Sequence, residues 1–246
     1  MFPARPLASV PTISKDQMIE VDRVMIDDLG ISLIQMMENA GRNLARFTME
    51  TYINHERAVR VVVLAGSGGN GGGGLVAARR LAGWDVPVSV VLSKPADQYR
   101  GVIAHQLHTL VSLGVVVEAV GSPSSHDGES VVVLDCLVGY SLAGAPRGRV
   151  AELIRWADES DALVVSLDVP SGVDSTSGEP FELAVIADAT LTLALPKSGL
   201  VSSRSSGNVG DLYLVDIGVP ASLYRASFGL EVGDLFSTSD IVHLRR

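Results

Sequence analysis

The sequence predicts an α/β protein of the three-layer αβα kind, with a Rossmann-like, doubly wound and mostly parallel sheet that two helices precede. Short β-branched segments such as VVVLAG and ALVVSLDV have the composition of parallel strands covered by helices on both faces. From residue 59 onward these segments alternate with helical patterns, which is typical of parallel strands joined by crossovers. With 246 residues, of which 47% are hydrophobic and 19% charged, the chain can bury one large core.

Two helices are predicted before the alternating region. Ser14 with Gln17, and Ser32 with Gln35, have the spacing of a capping box, in which each side chain binds the backbone N–H of the other residue. The first box is followed by an apolar stripe at helical spacing, which consists of Met18, Val21, Met25 and Leu29. Gly30 then suits the C-terminal cap of this first helix.

Seven strands are predicted beyond these helices, at residues 59–65, 86–92, 115–120, 131–138, 162–168, 188–195 and 211–217. Helices are predicted at residues 71–82, 99–113 and 147–159, with a short helix after Pro220. Since no long helical pattern separates the last two predicted strands, we expect an antiparallel edge there. We divide the chain into an N-terminal arm at residues 1–12, one domain at residues 13–220 and a C-terminal tail at residues 221–246.

Composition and charge argue against several functional classes. A net charge of −9 disfavours nucleic-acid binding, which requires clustered Lys and Arg side chains. No apolar run approaches the roughly 20 residues that span a bilayer, and the opening segment MFPARPLASVP is too polar for a signal peptide. Cys136, the one cysteine, has no partner for an internal disulfide. We therefore expect a cytoplasmic protein that binds neither nucleic acid nor membrane.

A glycine-rich loop, residues 66–74, follows the first strand of the alternating region and opens a helix. Seven of its nine residues are glycine, which lets a ligand approach the backbone, and the N-terminus of a helix attracts phosphate. A tight turn without a ligand is the alternative, although such a turn needs only one or two glycines. The loop therefore predicts a site for a nucleotide-type ligand.

Two common nucleotide-binding classes do not fit this loop. Three of its glycines match the spacing G-x-G-x-x-G, but the next strand ends in Ser93 and Lys94, without the acidic residue that holds the ribose of NAD. We therefore disfavour a hydride-transferring dehydrogenase. A Walker loop is excluded because no Gly-Lys-Ser/Thr sequence follows.

Polar side chains also follow two later strands of the predicted sheet. Asp135 lies near the end of one strand, and Asp168 lies at the tip of the next, shortly before Ser171. Because the carboxyl ends of parallel strands meet at one edge, we expect these residues to lie near Asn70 of the glycine loop. Their carboxylate, amide and hydroxyl oxygens suit an alkali or alkaline-earth ion better than zinc. Capping of a turn is the alternative for each aspartate taken alone.

These motifs together resemble the YjeF N-terminal domain family, the NAD(P)HX epimerases, from about residue 13 to residue 220. The resemblance is carried by the segments 36–41 (MMENAG), 66–74, 135–144 (DCLVGYSLAG), 167–172 (LDVPSG), 195–200 (LPKSGL) and 210–220 (GDLYLVDIGVP). Several ordered motifs with matching spacing make the resemblance specific.

The resemblance implies an isomerase of metabolite repair, which interconverts the R and S forms of hydrated NADH and NADPH at the hydroxyl-bearing carbon of the nicotinamide ring. It implies K+ as a bound ion, held by Asn70, Asp135 and Ser171, and it makes Asp168 the general acid/base. The substrate-binding positions that it implies are Gly68, Gly69, Asn70, Gly71, Gly72, Gly73, Gly139, Tyr140, Ser141, Leu142, Ala143, Gly144, Ala145 and Asp168. It also implies a homodimer, and we expect the chain to act without a fused dehydratase half.

The glycine loop departs from the family pattern at two positions. Gly69 stands where the family has Asn, and Gly73 stands where the family has Asp. Each loss removes hydrogen-bonding groups worth about 1–3 kcal/mol when they are buried. Two functions therefore stay open: an epimerase, whose activity is reduced or lost if the loop is impaired, and a non-catalytic module that binds a nucleotide or a protein partner.

Overall fold

The structure is a computed structural model that describes residues 2–55, 58–118 and 130–246. Its strands are β1 (Ala4–Pro6), β2 (Arg60–Ala65), β3 (Val88–Leu92), β4 (Val116–Glu118), β5 (Val131–Cys136), β6 (Leu163–Leu167), β7 (Ala189–Leu193), β8 (Asp211–Val215) and β9 (Ile241–Arg245). These nine described strands form one sheet in the order β1-β9-β8-β7-β6-β5-β2-β3-β4. Neighbouring strands are parallel except β8 and β9, so the predicted mostly parallel sheet is confirmed. Residues 119 and 120, predicted as the end of a strand, lie outside the described residues.

The α-helices of the described residues are α1 (Lys15–Arg23), α2 (Leu33–Thr48), α3 (Gly69–Ala82), α4 (Gly101–Ser112), α5 (Gly148–Glu159), α6 (Ser206–Val209) and α7 (Ala221–Phe228). The capping glutamines are in place, since Gln17 Oε1 accepts the Ser14 N–H at 2.9 Å and Gln35 Oε1 accepts the Ser32 N–H at 2.8 Å. Leu29, the last residue of the apolar stripe predicted for the first helix, does not share the burial of Met18, Val21 and Met25, since it is 48% exposed. A π-helical turn, Val24–Asp28, continues α1, and its wider winding moves Leu29 off the buried face.

Helices cover both faces of the sheet, as the sequence predicts. On one face α2, α3 and α4 pack through residues such as Phe47, Leu75 and Leu110, which are fully buried. On the other face α5 packs through Leu153 and Ile154. The central strands are therefore apolar on both sides, which is why their sequences are nearly continuous apolar runs.

The predicted antiparallel edge between residues 188–195 and 211–217 is wrong, since β7 and β8 are parallel. Short helical turns between residues 198 and 209 provide the crossover for which the prediction required a long helix. The antiparallel partner of β8 is β9, which lies in the predicted tail, and β1 from the predicted arm pairs with β9. Both terminal segments thus contribute to the same sheet. None of the helices within the described ranges is long and apolar enough to cross a membrane.

Candidate functional site

The strand order reverses between β2 and β5, and this reversal determines where a ligand site can form. The chain runs outward from β2 through β3 to β4, returns to β5 on the other side of β2, and then continues in the opposite direction to β8. The loops that follow β2 and β5 therefore leave the sheet edge in opposite directions and open a crevice between them. The glycine loop lies at this crevice, as do the residues after β5 and β6.

The glycine loop divides into an open part and a packed part. Helix α3 begins at Gly69, two residues earlier than predicted, and a Cβ atom at Gly68 or Gly69 would meet nothing within 4 Å. The later glycines face the interior, and a Cβ atom at Gly73 would lie 2.8 Å from Leu167 Cδ2. Close packing of α3 therefore accounts for the later glycines, whereas the first ones leave room for a ligand.

Asp135, at the end of β5, is completely buried. Its Oδ2 accepts hydrogen bonds from the Ser166 hydroxyl and from the Ser171 N–H, both at 2.8 Å, and its Oδ1 accepts one from the Ser171 hydroxyl at 2.6 Å. Burial raises the pKa of Asp135, and the hydrogen bonds from these two serines oppose that rise. Among the described side chains no Lys or Arg forms an ion pair with it. A buried carboxylate without a countercharge is a favourable place for a cation.

Asn70 supplies an unpartnered amide close to this cluster. Its side-chain oxygen and nitrogen are both buried and have no hydrogen-bond partner among the residues that the structure describes. A Cβ atom at Gly139 would lie 3.3 Å from Asn70 Oδ1, and the neighbouring Val138 N–H donates to the Ser171 hydroxyl at 2.9 Å. An unpartnered buried amide costs about 1–3 kcal/mol, so Asn70 indicates a ligand.

Asp168 forms the centre of a second polar cluster at the end of β6. Its φ of +68° is left-handed, a conformation that costs a non-glycine residue about 1–2 kcal/mol and is retained mainly at functional sites. The fully buried ammonium group of Lys197 donates to Asp168 Oδ1 and to the Leu193 carbonyl oxygen, the latter at 2.7 Å. Asp168 Oδ2 accepts the Tyr140 N–H at 2.9 Å. A carboxylate is thus held in one orientation at the wall of the crevice.

Tyr140 connects this ion pair to the first helix. Its hydroxyl donates to Asp22 Oδ2 at 2.5 Å, and the Lys197 Nζ lies 5.9 Å from the centre of its ring. Burial, with Asp22 nearby, raises the pKa of Tyr140, so its phenol stays protonated and donates. Burial also raises the pKa of Asp22, whereas the hydrogen bond from Tyr140 and the charge of Lys197 lower it.

These groups line a cavity of about 470 Å³, a size typical of small-molecule sites. One wall is apolar and comes from the first two helices and the turn that continues α1. It consists of Met18, Ile26, Leu33, Met36, Met37 and Ala40. The opposite wall is the sheet edge with its polar groups. The cavity can therefore hold a molecule with both apolar and polar parts.

The predicted site residues occupy different places relative to this cavity. Those that line it are Gly68, Gly69, Asn70, Gly139, Tyr140, Ser141 and Asp168. Those that do not line it are Gly71, Gly72 and Gly73, which lie within α3, and Leu142, Ala143, Gly144 and Ala145 of the following loop. Asp135 and Ser171 are buried beneath the lining. Which of these residues contact a substrate stays a prediction.

Sequence reasoning missed Lys197 and Asp22 as site residues. Lys197 stands inside a recognised motif, but nothing in the sequence names Asp168 as its partner. Asp22 lies four residues after the buried Met18, and therefore on the apolar side of α1. A carboxylate at such a position could have indicated a site residue.

A Rossmann-like domain with a cavity at the reversal of its strand order is the architecture typical of proteins that bind nucleotide-type ligands. A family model described as YjeF-related protein N-terminus matches residues 33–199. The chain belongs to this family, and the resemblance expected from the motifs is confirmed.

Proteins of known name and structure agree with this assignment. The chain is 44% identical over 88% of its length to an NAD(P)H-hydrate epimerase of Dehalogenimonas lykanthroporepellens, of which 85% is covered. It is 34% identical over 85% of its length to the bifunctional NAD(P)H-hydrate repair enzyme Nnr of Salinibacter ruber, of which it covers 41%. The crystal structure of the yeast protein ynu0 superposes with a TM-score of 0.77 at 26% identity, covering 96% of this chain and all of the yeast chain.

Proposed function

We propose that this chain is an NAD(P)H-hydrate epimerase, an isomerase that interconverts the R and S forms of hydrated NADH and NADPH. The observation that carries the proposal is the Asp168–Lys197 ion pair at the wall of the cavity beside the glycine loop. The 44% identity to an enzyme of that name supports the choice of reaction.

The chemistry of the substrate requires an acid/base group at this place. A dihydronicotinamide ring is an enamine, and hydration of an enamine puts the hydroxyl on a carbon next to nitrogen. Inverting that carbon requires a bond to it to break and to form again, with proton transfer at the hydroxyl oxygen. Asp168 serves as the group that exchanges this proton, because its carboxylate is fixed at the cavity wall by Lys197 and by the Tyr140 N–H.

The two walls of the cavity suit the two parts of the substrate. The N-terminus of α3 presents unpaired N–H groups of the glycine loop to the anionic phosphates, with Gly68 and Gly69 leaving room for close approach. Methionine side chains such as Met36 and Met37 offer an apolar surface for the ring. Tyr140 and Ser141 complete the wall from the loop after β5.

We also propose that K+ binds at Asn70, Asp135 and Ser171. The residues fit a cation, since within the described ranges the buried Asn70 amide oxygen has no hydrogen-bond partner and Asp135 has no countercharge. A monovalent ion suits the donors because only one of the three is a carboxylate. The described residues contain no group of three or more His, Cys, Asp or Glu side chains that could hold a metal ion. When bound, the ion supplies positive charge beside the anionic substrate.

Gly69 and Gly73 favour a second candidate function, that of a non-catalytic module that binds a nucleotide or a protein partner. In the structure the two positions differ. The space beside Gly69 is open, whereas the space beside Gly73 is filled by Leu167. Only Gly69 therefore leaves a gap at the cavity, and the backbone cradle of the loop is intact. The epimerase remains the function that the site supports best.

A homodimer and a cytoplasmic location complete the proposal. Ile19 and Leu29, exposed by 49% and 48%, give the first helix and the end of the turn that continues it an apolar outer surface that pairing would cover. The cytoplasm is proposed because Cys136 is a free, buried cysteine and because hydrated cofactors arise where NADH and NADPH are used. Light scattering of the purified chain measures its oligomeric state, and cell fractionation measures its location.

The enzyme assay follows the R form of hydrated NADH at a pH where spontaneous epimerisation is slow, with the S form measured by chromatography. We expect the wild type to accelerate the conversion and Asp168→Asn to lose at least about 100-fold in kcat. Asn is the suitable replacement because it tolerates the left-handed backbone that Asp168 adopts. Asp161→Asn, an exposed aspartate before the opposite end of β6, is the matched control. A wild type no faster than buffer refutes the epimerase.

A further inference from the structure

The cavity holds a second carboxyl group, Asp22 of α1, for which the reaction through Asp168 alone has no use. Asp22 lines the cavity, and only one of its oxygens is engaged, by the Tyr140 hydroxyl at 2.5 Å. Its Oδ1 has no hydrogen-bond partner within the described part of the chain and is not sealed in the interior. One oxygen is therefore fixed, and the other is available to a ligand.

Tyr140 separates the two carboxyl groups by the length of its side chain. Asp168 accepts the backbone N–H of Tyr140, and Asp22 accepts the hydroxyl at the far end of the ring. The two groups also come from different walls, since Asp22 lies on the helical wall and Asp168 at the sheet edge. Both carboxyl groups thus line one cavity, and they come from different elements of the fold.

An epimerase needs such a pair more than most enzymes do. Its substrate and product differ in the face of the ring that carries the hydroxyl. Breaking the C–O bond on one face and forming it on the other requires proton transfer on both faces. A single rigidly held carboxylate serves one face only, and the three contacts of Asp168 hold it rigidly.

We propose that Asp22 is the second acid/base residue of this site, with Tyr140 positioning it; the inference rests on the proposed epimerase function. In one direction Asp22 gives its proton to the ring hydroxyl. The C–O bond then breaks, its electron pair stays on the oxygen, and the oxygen leaves as water. The lone pair of the ring nitrogen forms a C=N bond at the same carbon. Water then adds to the opposite face, the C=N pair returns to nitrogen, and Asp168 takes the proton. In the other direction the two carboxyl groups exchange roles. Proton exchange with solvent then returns Asp168 to the carboxylate and Asp22 to the acid, so no net oxidation occurs and no atom is gained or lost.

The surroundings of Asp22 suit this role. The charged or titratable groups that face it are Tyr140 from the loop after β5, Lys197 and Asp168 from the sheet edge, and Tyr224 from α7. Arg23, next to it in sequence, is directed away and pairs with Glu20 and Asp28. Burial raises the pKa of Asp22 and the Asp168 charge adds to this rise, whereas the Tyr140 hydrogen bond and the charge of Lys197 oppose it.

The test compares three substitutions on the same stretch of helix. Asp22→Asn removes the acid/base function with little change in shape, Asp22→Glu keeps a carboxyl group, and Asp27→Asn changes an exposed carboxylate nearby. We expect Asp22→Asn to lower kcat at least about 100-fold with KM changed less than about threefold, Asp22→Glu to recover part of the loss, and Asp27→Asn to match the wild type. Tyr140→Phe, which removes only the positioning hydroxyl, is expected to lose about tenfold.

The pH profile separates a catalytic role from a structural one. Two acid/base groups give a bell-shaped dependence of kcat/KM on pH, and Asp22→Asn should lose the limb that reports Asp22 while keeping the other. If the wild type is active and the Asp22→Asn variant is equally active, this inference is wrong and the proposed epimerase function is unaffected. The same holds if the variant has a reduced kcat but an unchanged bell-shaped profile. A wild type without activity overturns the proposed function itself, together with this inference.

Discussion

The ammonium group of Lys197 donates a hydrogen bond to the carboxylate of Asp168 at a position where both side chains are buried. Each partner is also held by the backbone, Lys197 through the Leu193 carbonyl oxygen and Asp168 through the Tyr140 N–H. A buried pair with such additional hydrogen bonds is difficult to break, because each charge depends on the other for compensation. The pair therefore contributes both to the chemistry and to the stability of this edge of the sheet.

Replacing Lys197 by Met should destabilise the protein and abolish activity. The substitution leaves the Asp168 carboxylate buried without its countercharge, so we expect the free energy of unfolding to fall by about 3–5 kcal/mol. Urea denaturation measures this loss, with Arg155→Met on the exposed side of α5 as a control that changes it by less than about 0.5 kcal/mol. In the double variant with Asp168→Asn the loss should be clearly smaller than the sum of the single losses. Additive losses would show that the two charges are not coupled.

The partnership of these two residues shows the limit of sequence reasoning here. The sequence predicts the sheet because short β-branched runs alternate with segments at helical spacing. The reversal of strand order then brings Asn70 and Asp168 to one crevice. Lys197 was not predicted as a site residue, because the sequence around a lysine in a loop does not indicate which carboxylate it pairs with in the fold. Strand β1 at the edge of the sheet and its neighbour β9 were missed for a related reason. Their pairing is a tertiary contact between the two ends of the chain, and β1 has only three residues.

Restoring the two family side chains of the glycine loop should change stability at one position and leave it nearly unchanged at the other. Gly69→Asn places a side chain into open space at the first turn of α3, so we expect a change below about 0.5 kcal/mol. Gly73→Asp forces a charged side chain against Leu167, which should cost about 1–3 kcal/mol from overpacking and more from the buried charge. Thermal melting of the two single variants measures the difference. A Gly73→Asp variant as stable as the wild type would mean that α3 adjusts and that the position is a lost ligand group after all.

Potassium should stabilise the folded chain. A ligand that binds only the native state adds RT ln(1 + [L]/Kd), which reaches about 2.7 kcal/mol at one hundred times Kd. We therefore expect a higher Tm in KCl than in choline chloride at the same ionic strength. Asn70→Ala should remove this difference, because it deletes a proposed donor, whereas Asn54→Ala, an exposed cap at the end of the second helix, should keep it. Equal melting temperatures of the wild type in both salts would argue against the cation site.

Asp22→Asn should make the protein more stable at neutral and alkaline pH while it lowers activity. Because burial raises the pKa of Asp22, the native state holds this proton more tightly than the unfolded state does. The stability that this proton provides is complete below the ordinary pKa of 3.8 and is lost as the pH rises through the higher native value. An uncharged Asn escapes this loss, so we expect a gain of about 0.5–2 kcal/mol at pH 8 that disappears near pH 3.5. Urea unfolding at both pH values checks the sign, with Asp27→Asn as an exposed control. A destabilisation of equal size at both pH values would instead mean that the hydrogen bond to Tyr140 outweighs the desolvation of the carboxylate.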